Sequence, residues 1–139
     1  MTPDEYKKLD AIDLANLISK KEITPTELLD AALETLRDSD PSINSVVQVL
    51  EEEATQQIAG TKNSPFSGVP FLIKNLNQQI KGTTTTNGSQ LYKDAVAEAD
   101  TTLVERYKTS GLIIFGKTNS PEFGLATTTE PVLHGPTCN

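Results

Sequence analysis

The chain has 139 residues and a mass of 15.0 kDa, which is enough for one domain of ordinary size with its own core. Its 12 Lys and Arg residues stand against 19 Asp and Glu residues, and the net charge of −7 argues against nucleic acid or an anionic membrane as a partner. The single Cys and single His exclude an internal disulfide and a zinc site built from those residues alone. The N-terminus has no apolar signal segment and no apolar run approaches the length of a membrane span, so we expect a cytoplasmic protein with no membrane partner.

The first third of the chain is predicted to be helical. Asp10 is expected to cap a helix over about residues 11–20, which carries a wide face of Ile, Leu and Ala side chains. Residues 24–27 (Thr-Pro-Thr-Glu) form a capping box with proline at the first helical position, and they predict a second helix. We expect that helix to run to about Arg37 and to be ended by residues 40–41 (Asp-Pro).

Two short apolar runs further along the chain predict buried strands. Residues 69–73 (Val-Pro-Phe-Leu-Ile) and 112–115 (Leu-Ile-Ile-Phe) are continuously apolar, which is typical of strands covered on both faces. Residues 43–49 are either a strand or the lead-in to a short helix over residues 50–59, and residues 61–68 are expected to be a loop. Strands of this kind that alternate with helices predict an α/β fold.

The segments between and after these strands mix loops and helices. Residues 75–88 are expected to be irregular and include four consecutive Thr residues, while Asp100 is expected to cap a helix that Gly111 ends. Residues 120–122 (Ser-Pro-Glu) predict another capped helix start, and residues 127–139 show no periodicity. Because two or three strands do not complete a covered sheet, the predicted architecture is unfinished.

Lys74 is the first candidate for a functional residue. It directly follows a predicted buried strand, and ligand sites of α/β sheets form at such strand ends. A lysine amine in apolar surroundings loses its proton more readily and can act as a general base or a nucleophile. The alternative is that Lys74 marks the point where the strand reaches solvent, and spacing alone favours that alternative. His134 has no second histidine to share a metal ion, so a turn or packing role is expected for it. Cys138 has neither a base nor a helix N-terminus nearby in the sequence, and nothing local indicates a nucleophilic cysteine.

Several ordered blocks of the sequence together resemble the amidase signature family, and they cover nearly the whole chain. They are Asp-Ala-Ile-Asp-Leu-Ala (10–15), Ile-Thr-Pro-Thr-Glu-Leu-Leu (23–29), Gly-Val-Pro-Phe-Leu-Ile-Lys-Asn-Leu (68–76), Thr-Thr-Thr-Thr-Asn-Gly-Ser (83–89), Asp-Thr-Thr-Leu-Val (100–104), Gly-Leu-Ile-Ile-Phe-Gly-Lys-Thr-Asn-Ser-Pro-Glu-Phe-Gly (111–124) and Thr-Glu-Pro-Val-Leu-His-Gly-Pro-Thr-Cys-Asn (129–139). The amino-acid sequences of these blocks resemble those of stand-alone amidases, similar to those that hydrolyse cyclic and linear aminohexanoate amides, more than those of the amidase subunit of a tRNA-dependent amidotransferase.

The resemblance implies the N-terminal part of the family's α/β/α fold, in which helices cover a mixed sheet, left incomplete in this chain. Residues 1–139 would be part of a single amidase domain, with residues 1–60 mainly helical and residues 61–139 supplying the first sheet strands with helices and loops. The implied reaction is hydrolysis of a carbon–nitrogen bond in a small-molecule amide by a Ser–cis-Ser–Lys triad, without a cofactor or a metal. Lys74 matches the family's catalytic lysine and is expected to be the general base.

Thr118 and Asn119 are candidate substrate-binding residues by the same resemblance, because they fall in a block that borders the family's site. The alternative is that they cap and hold residues 120–122, and that alternative is slightly favoured. Asn75 stands where the family often has Asp, which can alter the hydrogen bonding around Lys74.

The family's Gly- and Ser-rich loop, which carries both serines and the oxyanion amides, is not found in this sequence and is expected after Asn139. We therefore expect the chain by itself to be inactive. Two alternatives remain open, a non-catalytic interaction module and the amidase subunit of a tRNA-dependent amidotransferase. An unpaired edge of a half-built sheet can recruit a second copy of the chain or the rest of the enzyme.

Overall fold

The structure, a computed structural model, describes residues 1–60 and 64–139, and it confirms the predicted α/β class. The predicted loop over residues 61–68 lies partly outside the described residues. The helices are α1 (Pro3–Tyr6), α2 (Ala11–Ser19), α3 (Pro25–Ile43), α4 (Glu51–Ala59) and α5 (Thr102–Thr109); the strands are β1 (Val46–Val49), β2 (Pro70–Lys74) and β3 (Ile113–Thr118). Single 3-10 turns lie at Gln90–Tyr92 and Glu122–Gly124. In the described part of the chain, every helix is too short or too polar to cross a bilayer.

The starts of α2 and α3, predicted from capping signals, are confirmed. Asp10 Oδ1 accepts hydrogen bonds from the backbone N–H groups of Ile12 at 2.8 Å and Asp13 at 2.9 Å, which fixes the start of α2. At α3, Thr24 N donates to Glu27 Oε2 at 2.9 Å and Glu27 N donates to Thr24 Oγ1 at 3.2 Å, which is the reciprocal capping box.

The short helix α1 is an element that the sequence analysis missed. Thr2 and Glu5 form the same reciprocal capping box there, with a proline at the first helical position. The pattern Thr-Pro-Asp-Glu at residues 2–5 matches the spacing of Thr-Pro-Thr-Glu at residues 24–27, so the signal was available in the sequence.

The predicted end of α3 at Asp40-Pro41 is wrong, because the helix continues through Pro41 to Ile43. A proline in the last turn removes only one intrahelical hydrogen bond. The carboxylate of Asp40 satisfies the groups that follow the helix: its Oδ1 accepts from Ser45 N at 2.7 Å, from Ser45 Oγ at 2.6 Å and from Val46 N at 3.1 Å. These bonds lead the chain directly into β1, so the strand alternative for residues 43–49 is the correct one.

The three strands form a small mixed sheet in the order β1-β3-β2. β1 is antiparallel to β3 with an irregular register, whereas the hydrogen bonds between β2 and β3 are those of a parallel pair. Ile113 N donates to Val69 O at 2.8 Å, and further along both strands Asn75 N donates to Thr118 O at 2.9 Å. The carboxyl ends of β2 and β3 therefore lie at the same edge of the sheet.

Two boundaries after residue 111 differ from the sequence prediction. β3 runs three residues beyond the predicted end at residue 115, because Gly116, Lys117 and Thr118 pair with β1, and Lys117 is fully buried although it lies outside the apolar run. The predicted capped helix at residues 120–122 is wrong. Phe123 has a positive φ of 52° and its N–H donates to Asn87 O at 2.8 Å, so this long-range bond replaces helical continuation and leaves one 3-10 turn.

The chain divides into two units with different interiors. The first unit (Met1–Ser39, Leu50–Phe71 and Tyr107–Phe115) has an apolar core that includes Leu14, Ile23, Leu28 and Val69. The second unit (Asp40–Val49, Leu72–Arg106 and Gly116–Asn139) holds all of the buried polar residues found in the described part of the chain, namely Asn75, Thr83, Thr85, Thr86, Ser89, Lys117, Asn119 and Ser120. Because buried polar groups are costly unless they are paired, this second unit is where a functional site is expected. That the two units form one domain stays a prediction.

Candidate active site

Lys74 is the last residue of β2 and lies at the carboxyl edge of the parallel strand pair. Its Nζ donates a hydrogen bond to the backbone oxygen of Asn119, which follows β3, at 2.7 Å. The sequence predicts an amine in apolar surroundings, but the side chain of Lys74 is exposed. The burial along β2 falls away at its last residue, so within the described residues the strand end reaches solvent. The position at the strand end is as predicted, and the role of Lys74 as general base stays a prediction.

The other two predicted site residues, Thr118 and Asn119, lie at the same edge. Asn119 is buried, and its side chain is used by the chain itself: Nδ2 donates to Gly135 O and to Thr137 Oγ1, both at 3.0 Å, while Oδ1 accepts from Ser120 N at 3.0 Å. These bonds favour the holding role that the sequence analysis offered as the alternative. Contact of Thr118 or Asn119 with a substrate stays a prediction.

Asn75, the residue after Lys74, forms a hydrogen-bonded group with Thr86 and His134. Thr86 N donates to Asn75 Oδ1 at 3.0 Å, and Asn75 Nδ2 donates to Thr86 Oγ1 at 2.8 Å, so the two residues are joined at two points. Thr86 Oγ1 also accepts from Gly88 N at 3.3 Å and lies 3.0 Å from His134 Nε2. Because both lone pairs of this hydroxyl are then occupied, its proton is donated to Nε2, which must be unprotonated.

His134 is therefore neutral in this arrangement, with its ring proton on Nδ1. The amide Nδ2 of Asn75, 3.5 Å from the same Nε2, is also a donor and would oppose a proton there. Burial lowers the pKa of His134 from its ordinary value, which favours the same neutral form. The packing role expected for this residue is thus a specific one, as the acceptor that orients the Thr86 hydroxyl.

Lys117 forms a second buried group that the sequence analysis did not single out. Its Nζ contacts Thr83 Oγ1 at 2.8 Å, Thr84 O at 2.5 Å and Thr85 Oγ1 at 2.9 Å. The run of Thr residues lies in a segment predicted to be irregular, and within it Thr83 and Thr85 are buried acceptors for this amine. The only signal in the sequence was a lysine directly after an apolar run and one glycine, which is also typical of a strand end.

The aperiodic C-terminal segment is held in place by side chains from elsewhere in the second unit. Asn44 Nδ2 donates to His134 O and to Pro136 O, both at 2.9 Å, and Thr137 Oγ1 donates to Asn44 O at 2.7 Å. Cys138 is a free, exposed cysteine whose backbone N–H is bonded at 2.8 Å to the end of α3. These contacts carry His134 to the end of β2, some sixty positions away in the chain.

Comparison with known proteins finds one family and many similar sequences. The family model described as Amidase matches residues 27–139. The lipoamidase of Enterococcus faecalis is 36% identical over 97% of this chain and 19% of its own length, and a glutamyl-tRNA(Gln) amidotransferase subunit of Lachnoclostridium phytofermentans is 35% identical over 97% of this chain and 29% of its own length. The solved structure of 6-aminohexanoate cyclic dimer hydrolase complexed with substrate is 36% identical and superimposes with a TM-score of 0.90 over 94% of this chain and 27% of that protein. The chain thus spans 19% to 29% of the length of these relatives.

Proposed function

This chain belongs to the amidase signature family, and we propose that it supplies the lysine side of an amide-hydrolysing site, with Lys74 as the general base. The observation that supports this role is the placement of the Lys74 amine at the carboxyl edge of two parallel strands, bonded to Asn119 O at 2.7 Å. By the family resemblance, the two serines of the Ser–cis-Ser–Lys triad are expected outside the blocks found in residues 1–139. The activity of a whole protein built on this chain is therefore part of the proposal.

In the proposed reaction Lys74, as the general base, takes a proton from a bridging serine, which in turn takes the proton of a second serine. The second serine attacks the carbonyl carbon of the amide and the carbon–nitrogen bond breaks. The amine product leaves with a proton that Lys74 returns through the bridging serine. Water then releases the acid from the acyl-enzyme. The hydrogen bond from Lys74 to Asn119 supports this role, because an N–H directed at that carbonyl leaves the nitrogen lone pair pointing elsewhere. The reaction requires no cofactor and no metal.

A hybrid enzyme tests the proposal directly. Residues 1–139 would replace the matching part of 6-aminohexanoate-cyclic-dimer hydrolase, and hydrolysis of the cyclic dimer would be measured. We expect an active hybrid in which Lys74→Met lowers kcat by about 10⁴-fold or more, because removing one member of a catalytic triad has effects of this size. Lys93→Met is the matched control, since it removes an exposed lysine from the same unit. A Lys74→Met hybrid that keeps its kcat within tenfold would contradict the assignment.

The isolated chain gives a second test. Without the two serines it is expected to hydrolyse no small aryl amide, because a site that lacks its nucleophile loses many orders of magnitude in rate. Turnover by the 139-residue protein that Lys74→Ala abolishes would show that the proposed division of the triad is wrong.

The amidase subunit of a tRNA-dependent amidotransferase is a second candidate. The amidotransferase relative is 35% identical to this chain, against 36% for the lipoamidase, so identity alone does not separate the two. This candidate predicts copurification with partner subunits from the native source and release of ammonia from an amide donor. Recovery without any partner, together with hydrolysis of free amides by the hybrid, favours the stand-alone amidase.

A further inference from the structure

Lys117 is the most deeply buried charged side chain of the described residues, and the proposed reaction does not use it. Its exposed fraction is 0%, although lysines are almost never fully buried unless their amine is paired. It lies near the end of β3, the strand next to the one that carries Lys74. A buried group of this kind needs a reason to be there.

The contacts of Lys117 Nζ leave no direction of the nitrogen unoccupied. A lysine nitrogen has three positions besides its bond to carbon, and Thr83 Oγ1, Thr84 O and Thr85 Oγ1 occupy all three. Thr83 Oγ1 donates its own proton to Ile80 O at 2.8 Å and so accepts from the lysine, and the carbonyl of Thr84 can only accept. The amine of Lys117 also donates to Thr85 Oγ1, so all three positions are used within the chain and Lys117 has nothing to offer a substrate.

These contacts close a ring that passes through the residue after Lys74. Lys117 is bonded to Thr85, and the next residue, Thr86, is joined to Asn75 by two hydrogen bonds of 3.0 and 2.8 Å. Asn75 N in turn donates to the backbone oxygen of Thr118, the neighbour of Lys117, at 2.9 Å. Asn75 is thus hydrogen-bonded to β3 through its backbone and to Thr86 through its side chain. The hydrogen bonds of the Lys117 amine connect β3 to the same run of Thr residues.

We propose that Lys117 is a positioning residue, whose amine fixes residues 83–86 against β3 and thereby fixes the end of β2 that presents Lys74. The importance of Lys117 for catalysis rests on the proposed function, whereas its effect on the position of Lys74 does not. Loss of the Lys117 amine frees the Thr run, loosens the Asn75–Thr86 pair and releases the Lys74 amine from its bond to Asn119.

Competitive acylation of lysines tests this inference on the 139-residue chain as it stands. Trace acetylation with N-hydroxysuccinimidyl acetate, read by peptide mass spectrometry, gives the rate at Lys74 relative to Lys7 and Lys20, two exposed lysines of the first unit. In Lys117→Met the relative rate at Lys74 is expected to rise by about three- to tenfold, since the loss of buried hydrogen bonds is worth factors of this size. If Lys117 only stabilises the fold as a whole, Lys117→Met would raise the acetylation rates of Lys74, Lys7 and Lys20 together. The rate at Lys74 relative to the other two would then be unchanged.

Two threonine variants keep the test decisive if Lys117→Met does not fold. Thr85→Val removes one side-chain acceptor of the Lys117 amine and is expected to change the Lys74 ratio in the same direction, by about two- to threefold. Thr84→Val is the matched control, because Thr84 contacts the amine through its backbone oxygen. An unchanged Lys74 ratio in folded Thr85→Val, or an equal effect of Thr84→Val, overturns the inference. Neither result bears on Lys74 as the general base, which the Lys74→Met hybrid tests separately. Failure of the positioning role and failure of the proposed function can therefore be told apart.

Discussion

Replacing Asn75 by aspartate is expected to favour the protonated form of His134. In the native chain, Asn75 Nδ2 lies 3.5 Å from His134 Nε2 and donates to the Thr86 hydroxyl, which donates onward to Nε2. A carboxylate in place of this amide can only accept, so the Thr86 hydroxyl turns to donate to it. The hydroxyl oxygen then accepts from a protonated Nε2, and the imidazolium form becomes the one that satisfies all three groups.

The size of the effect follows from the distance. Two unit charges 3.5 Å apart attract by about 1 kcal/mol in a water-like medium and by more where water is excluded. The water-like end of this range applies to His134, because its side chain is only partly buried. We therefore expect the ratio of imidazolium to imidazole at a fixed pH to rise by roughly five- to tenfold in Asn75→Asp.

The assay is an NMR titration of the imidazole, and it is free of overlap because the chain contains one histidine. In the native chain burial holds the pKa of His134 below its ordinary value, and in Asn75→Asp the titration is expected to move to higher pH. The charge-neutral control is Asn75→Ser, which shortens the side chain without adding a carboxylate. A titration of Asn75→Asp that coincides with the native one, or lies below it, would refute the hydrogen-bond assignment at Nε2.

The same group makes stability depend on pH with a definite sign. Because the pKa of His134 is lowered in the folded state, the unfolded chain binds more protons as the pH falls below about 6.5. The contribution of His134 to stability is therefore complete above that pH and is lost as the pH falls through the lowered value. Urea unfolding of the native chain at pH 7.5 and pH 6.0 should show lower stability at pH 6.0, and in His134→Gln this part of the difference should disappear.

Three further changes test the fold around the site. Asp40→Ala removes the acceptor of three hydrogen bonds after α3 and should lower the free energy of unfolding by about 2 kcal/mol in urea denaturation, whereas Asp38→Ala, an exposed neighbour, should have little effect. Gly88→Ala places a Cβ 2.6 Å from a main-chain oxygen at a φ of 69°, and it should cost clearly more than Gly82→Ala, which has a φ of 82° and open space and should cost about 1 kcal/mol. If the outer edge of β1 recruits a second copy of the chain, sedimentation velocity will show concentration-dependent association. Val49→Lys, at a half-exposed position of that edge, is expected to remove the association. A monomer at all concentrations would contradict the interaction-module alternative.

The helix starts of the first unit could be predicted because their causes are local. A capping residue and its partner lie within three positions of each other, as at Thr24 and Glu27, and no distant group decides the outcome. The helix predicted at residues 120–122 carried a similar local signal and failed. There the N–H of Phe123 bonds to Asn87, which is far away in the sequence, and such tertiary bonds override local preference.

The candidate site shows the same division between local and long-range causes. The position of Lys74 at a strand end follows from the apolar run before it. The surroundings of Lys74 do not, because Asn119 comes from the end of another strand and His134 is brought to Asn75 by the bonds that Asn44 makes to the C-terminal segment. The spacing of apolar residues along the sequence does not predict such long-range contacts.

The two lysines at the ends of β2 and β3 illustrate what coordinates add to sequence. Both follow apolar runs at the carboxyl ends of parallel strands, and by residue type and position alone either is suited to be a base. Within the described part of the chain, the amine of Lys74 donates to the single acceptor Asn119 O and is exposed, while the amine of Lys117 is enclosed by three oxygens. A general base must present a lone pair to the group that it deprotonates. The three oxygens around the Lys117 nitrogen leave it no direction for such a group, so the geometry argues against Lys117 as the base, while the role of Lys74 stays a prediction that rests on the family resemblance.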